Sequence, residues 1–119
     1  MILVIGSSSG LGRSIFEQSA NAGMKVLGVS RYSDDSILLR HKEMSCAIQQ
    51  DLLEMHSQSE FDDFFESINI ESINQLFIVI GGGYGINEVV PSYEDLSLLL
   101  KLNLLIPSSC FSLIKSKIT

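Results

Sequence analysis

The sequence predicts an α/β fold, a doubly wound parallel sheet with helices on both faces. Three observations predict it. Short apolar runs recur at Ile2-Leu3-Val4-Ile5, Lys25 to Val29, Cys46 to Gln50 and Leu76 to Ile80. Segments of helical period separate most of them. Each run gives way to glycine, serine or aspartate, where the chain can turn. Strands that alternate with helices imply parallel pairing, and right-handed crossovers leave few topologies. The expected one is partial, about four strands in order 3-2-1-4, with a crevice between the first and the fourth.

Each element has its own signal. Ile2 to Ile5 reads as a strand buried on both faces and ends at Gly6. Residues 10 to 22 carry Leu11, Ile15, Phe16 and Ala22 near helical spacing, with Gly23 as a natural C-cap. "KVLGV" is the second strand, and 33 to 44 can hold a short helix. The third strand, Cys46 to Gln50, ends at Asp51. Ser57-Gln58-Ser59-Glu60 is a capping box that opens a helix carrying Phe61, Phe64, Phe65 and Ile68. Leu76 to Ile80 is the fourth strand, closed by Gly81, Gly82 and Gly83. A long helix follows Pro91, with Ser92 as N-cap, and runs to about Lys115.

Bulk composition narrows the function classes. The chain has 119 residues, 45% of them hydrophobic and only two prolines, which suits one folded domain and not a disordered segment. The net charge is −6 and the eight Lys and Arg are scattered. That argues against a nucleic-acid groove and against binding at an anionic membrane surface. Cys46 and Cys110 form no C-x-x-C and are expected to be buried, reduced thiols. His41 and His56 stand apart from any ligand spacing, so no metal site is expected. No basic segment precedes the first strand, so a cytoplasmic location is expected. Leu96 to Ile114 is apolar but interrupted by Lys101, Asn103, Pro107 and serines, and reads as a buried helix rather than a membrane span.

The chemistry concentrates in "VIGSSSGLGRS", residues 4 to 14. Gly6 to Gly10 fits G-x-S-x-G, a nucleophile elbow with Ser8 at its centre. Gly6, Gly10 and Gly12 also form a glycine loop between a strand and a helix. Position separates the two readings. An elbow follows several strands and needs a later acid and then a histidine. Here the loop follows the first strand, and both histidines lie in the first half. The glycine loop explains more. Gly6 permits a tight turn, and side chains at Gly10 or Gly12 would keep a pyrophosphate from the helix N-terminus, where free N–H groups and the dipole favour an anion. Ser7, Ser8 and Ser9 are small and can donate to phosphate. No Gly-Lys-Ser/Thr follows, so this is no P-loop.

"LVIGSSSGLGRSI" resembles the opening of the short-chain dehydrogenase/reductase family, whose glycine signature is T-G-x-x-x-G-x-G. The resemblance continues in register through "GMKVLGVSR", "QQDLLE", "LFIVIGGG" and "LLKLNLLIP", over almost the whole chain. It implies a Rossmann-like NAD(P)-binding domain. The cofactor-binding residues it implies are Gly6, Ser8, Ser9, Gly10, Leu11, Gly12, Ser30, Arg31, Asp51, Leu52, Gly81, Gly82 and Gly83. Ile5 stands where the family usually has Thr. Ser30 takes the place of the acid that favours NAD, and Arg31 is set to pair with a 2′-phosphate, so NADP is expected over NAD. The adjacent Asp34 and Asp35 could neutralise Arg31. Asp51 would accept the adenine amino group, and Leu52 would offer backbone contact.

Asn103 matches the family's helical active-site Asn. A lone Asn in a leucine-rich helix is costly without partners. Pro107, four residues on, lacks the N–H that would bond its carbonyl, so the helix should kink there. The family's catalysis also needs a Ser and a Tyr and Lys in Y-x-x-x-K. No Y-x-x-x-K occurs: Tyr32, Tyr84 and Tyr93 are followed four places later by Ser36, Glu88 and Ser97. The expectation is therefore the first, cofactor-binding part of such an enzyme, truncated before its catalytic Ser, Tyr and Lys. Its parent reaction would be carbonyl–alcohol oxidoreduction on a small-molecule substrate. The fourth strand would be an open apolar edge, and homo-oligomers are expected through the 92–115 helix. The alternatives are a non-catalytic dinucleotide-binding or scaffold protein and a serine hydrolase acting through Ser8.

Overall fold

The computed structural model describes residues 1–32, 45–68, 70–81 and 87–119. The short helix expected within 33 to 44 lies outside them, as do Asp34, Asp35, His41, Gly82, Gly83 and Tyr84. The elements are β1 (Ile2–Ile5), α1 (Gly10–Asn21), β2 (Val26–Ser30), β3 (Ser45–Gln49), α2 (Gln58–Ser67), β4 (Gln75–Ile78), α3 (Tyr93–Leu100) and α4 (Ile106–Ile114). A 3₁₀ turn covers Leu52–Glu54, and a π-turn, Lys101–Leu105, joins α3 to α4.

All strand pairs are parallel, in the order β3-β2-β1-β4. This is the Rossmann-like doubly wound arrangement expected. β1 is central, with Ile2 opposite Val26 on one side and Gln75 on the other. Its side chains alternate between two cores. Ile2 and Val4 pack with Phe16, Ala20 and Val26 beneath α1. Leu3 and Ile5 pack with Phe61, Phe65, Ile106, Cys110 and Ile114 from α2 and α4. Burial on both faces explains why β1 and β2 read as unbroken apolar runs.

Several boundaries and faces differ from expectation. β3 starts and ends one residue early, and β4 pairs only to Ile78, although Val79 N–H still donates to Ile5 O at 2.8 Å. On α1 the buried face is Gly12, Phe16 and Ala20. Leu11 is 66% exposed and Ala22, the C-cap, is exposed too. Gly23 follows in the left-handed region at φ 74°. Cys46, on the outer strand β3, is exposed, and Cys110 is buried.

The 92–115 helix is the larger correction. It is not a buried helix. No residue of α3 or the π-turn is buried, and Leu96, Leu100, Leu104, Leu105 and Phe111 are well exposed. Ile106, Cys110 and Ile114, one stripe of α4, are buried in the core, and Leu102 and Leu113 pack partly buried against it. By length and composition alone, Tyr93–Lys117 also meets the requirement for crossing a membrane: it holds an 18-residue window of mean hydropathy 1.6, only 17% of which is buried. After α4 the chain returns to the sheet's lower edge, where Ile118 bridges Ile73 in parallel.

Candidate dinucleotide site

All four strands point their C-terminal ends at one cavity of about 610 Å³, counting its open mouth. β1 contributes Ile5 and Gly6, β2 Val29 to Arg31, the end of β3 Gln50 to Leu53, and the end of β4 Val79 to Gly81. Ser8 and Ser9, which lead into α1, line it as well, and Leu102 of the π-turn closes one side. The cavity lies where the strand order reverses between β1 and β4, the usual ligand position in open α/β sheets.

The glycine loop is built for close approach. Gly6 has φ 93°, and a side chain there would collide with the Val79 carbonyl. Gly10 has φ 54°, and a side chain there would meet nothing within 4 Å, so space lies open beside the first turn of α1. Gly12 does something other than leave room for phosphate. It is buried, and a side chain would strike the Gly6 carbonyl, so it sets the contact between helix and loop. Ser7 also departs from expectation. It is buried beneath β2 against Gly28 and does not line the cavity. Leu11, on the exposed side of α1, does not line it either.

The start of α1 is open. Ser9 is its N-cap, but its side chain makes no capping bond. Ser57 on α2 and Ser92 on α3 each accept from the third backbone N–H of their helix. The first N–H groups of α1 therefore meet no side-chain cap from Ser9, beside the cavity, where the helix dipole adds positive potential.

The far wall carries the charges. Arg31 is exposed, and its guanidinium carbon stands 5.2 Å from the Tyr32 ring centroid. Ser30 is buried, and its hydroxyl donates to Tyr32 O at 2.6 Å. Asp51 accepts from Leu53 N at 3.0 Å, which fixes its carboxylate at the start of the 3₁₀ turn while leaving further lone pairs. Gly81 sits beside Asn103, and a Cβ there would come within 3.0 Å of Asn103 Oδ1.

Asn103 is exposed rather than buried, and its Nδ2 donates to Leu99 O at 3.0 Å. The expected kink takes the form of the π-turn, in which Ile106 N–H reaches back five residues to Lys101 O. Pro107, which has no N–H to give, follows directly. Lys101 ties this turn to the opposite wall: its Nζ donates to Leu53 O at 2.5 Å and lies 3.4 Å from His56 Nδ1.

Sequence reasoning missed Gln50, Leu53, Val79, Ile80 and Leu102 in the wall, and the Lys101 tie. Strand-end position signals the first four. Nothing in the sequence signals a bond spanning residues 53 to 101. Among the described residues no histidine lines the cavity with Ser8, so the elbow reading gains no base.

No protein-family model matches the sequence, and no curated protein matches it. Solved structures do. A short-chain dehydrogenase from Streptomyces avermitilis matches at TM-score 0.79 and 22% identity, over 98% of this chain and 43% of its own. A carbonyl reductase from Pseudomonas aeruginosa PAO1 matches at TM-score 0.81 and 20% identity, over 99% of this chain and 54% of its own. A Burkholderia multivorans protein described as a short-chain dehydrogenase/reductase, solved with bound NADP, matches at TM-score 0.79 and 18% identity, over 99% and 53%. The chain spans about half the length of these structures. It has, over that half, the Rossmann-like fold of the short-chain dehydrogenases.

Proposed function

We propose that residues 1–119 form one NAD(P)(H)-binding domain, the cofactor-binding part of a short-chain dehydrogenase/reductase. The observation that carries this is the cavity at the strand ends, which joins a helix start without a side-chain cap, a guanidinium and a carboxylate. Those groups fit a nicotinamide dinucleotide. The N–H groups at the start of α1, with Ser8 and Ser9, would take the pyrophosphate, and open space beside Gly10 leaves room for it. Asp51 would accept the adenine amino group, with Leu52 in backbone contact. Arg31 would take a 2′-phosphate, so NADP is preferred to NAD. Gly81, with Gly82 and Gly83, would border the nicotinamide end, where Asn103 would act in the catalytic group.

The bound cofactor would supply hydride transfer, and the parent reaction would interconvert a carbonyl and an alcohol. Within these residues the chain holds and orients. It has no Y-x-x-x-K to move the proton. Self-association is proposed through the exposed apolar face of α3 and α4.

The test is titration of the 119-residue chain with NADPH and NADH, followed by nicotinamide fluorescence. Saturable binding, weakened about tenfold or more toward NADPH by Arg31→Ala, is the expected result. Absence of binding by both at millimolar concentration overturns the proposal.

A further inference from the structure

The backbone that carries Arg31 is held at three successive carbonyls. Gln50 N–H donates to Ser30 O at 2.7 Å. Gln49 Nε2 donates to Arg31 O at 3.1 Å. Ser30 Oγ donates to Tyr32 O at 2.6 Å. Two of these donors come from the end of β3 and the residue after it: Gln49, which stands in register with Ser30, and Gln50. The peptide units are thus fixed to the sheet while the Arg31 side chain remains outside it. That side chain lies over the next ring: Arg31 Cζ is 5.2 Å from the Tyr32 centroid, within cation–π range. Among the described residues no carboxylate pairs with Arg31. Tyr32 is 63% exposed and contributes nothing to either core, so its ring has no packing role there.

We propose that Tyr32 is a positioning residue for cofactor choice: its ring holds the Arg31 guanidinium ready for a phosphate monoester on the adenosine ribose, on a turn pinned by Ser30 and by Gln49 and Gln50 of the third-strand segment. This rests on the dinucleotide reading above. Arginine has many rotamers, and ordering it on binding costs affinity. A ring that already gathers the guanidinium lowers that cost for a ligand bearing the extra phosphate. It does nothing for a ligand lacking it. The effect therefore belongs to the ratio of the two affinities and not to their common part.

The experiment compares dissociation constants of NADPH and NADH for the unaltered 119-residue chain, Tyr32→Leu and Tyr32→Phe, with melting temperatures recorded alongside. Tyr32→Leu should weaken NADPH about threefold and leave NADH unchanged, a size set by an exposed cation–π contact. Tyr32→Phe keeps the ring and should keep the ratio. An unchanged ratio in Tyr32→Leu, or equal weakening of both nucleotides, overturns the inference while the dinucleotide reading stands. If the unaltered chain binds neither nucleotide, the reading itself fails and the inference with it.

Discussion

The two strand–helix units that flank the crevice, β1–α1 and β4–α3, solve the same problem in opposite ways. β1 is buried at every position and turns into α1 within residues 6–9. α1 then packs through Gly12, Phe16 and Ala20, and its N-cap Ser9 makes no side-chain bond. β4 has no fully buried residue, its connection runs from 79 to 92, and α3 has none either. Yet α3 begins with a side-chain cap, Ser92 Oγ accepting from Asp95 N at 3.1 Å. Where tertiary packing secures a helix, its N-terminal N–H groups can be left for a ligand. Where packing is thin, local bonds must hold the start.

The sharpest way to break this contrast is to cut the packing of the first unit. Phe16→Ala should destabilise the chain by about 4 kcal/mol in urea unfolding, from lost transfer energy and a residual cavity. Gly12→Ala should cost on the order of 3 kcal/mol, because the added methyl meets the rigid Gly6 carbonyl. Capping should show the reverse asymmetry. Ser92→Ala should cost about 1 kcal/mol, and Ser9→Ala only a few tenths at most, since no bond is lost. Ser9→Ala should nonetheless weaken dinucleotide binding. Leu100→Ser, on the exposed face, should stay within about 0.5 kcal/mol, while sedimentation shows less self-association.

Two smaller effects sharpen the picture. Burial pushes the Cys110 thiol up to about 12, so a thiol reagent should modify Cys46 in the folded chain and Cys110 only after denaturation. At the start of α2, the Glu60 carboxylate is held below its usual range, first by the His56 N–H and then by Ser57. A depressed carboxylate stabilises above its unfolded value and loses that contribution as pH falls through the folded one. Melting temperature should thus fall below pH 4.5, and Glu60→Gln should flatten that acid limb.

Sheet order and most element positions were legible because period and punctuation are local properties of the chain. The capping box at Ser57 and Glu60 is an example, formed as read. What stayed hidden depends on which neighbour a residue meets. Three consecutive serines look alike, yet Ser7 goes under β2 while Ser8 and Ser9 line the cavity. Gly12 reads as clearance for a ligand and serves as clearance for the chain's own carbonyl. Leucines at 96, 100 and 104 announce an apolar face but not what covers it, so burial was inferred where exposure is found. Tyr32 carries no motif, and its relation to Arg31 appears only in the geometry.

The order β3-β2-β1-β4 has a consequence in time. Of these four strands, the one that comes first in the sequence lies inside the sheet, between β2 and β4. β1 ends at residue 5, while its second neighbour begins at residue 75. At ribosomal rates of roughly 5–20 residues per second, several seconds separate the two. During that interval the edge of Ile2 to Ile5 that β4 will cover is a bare row of backbone donors and acceptors on an apolar strand. Nascent chains of this protein are accordingly most exposed to mispairing before β4 emerges, and a chaperone that shields Ile2 to Ile5 would act in that window.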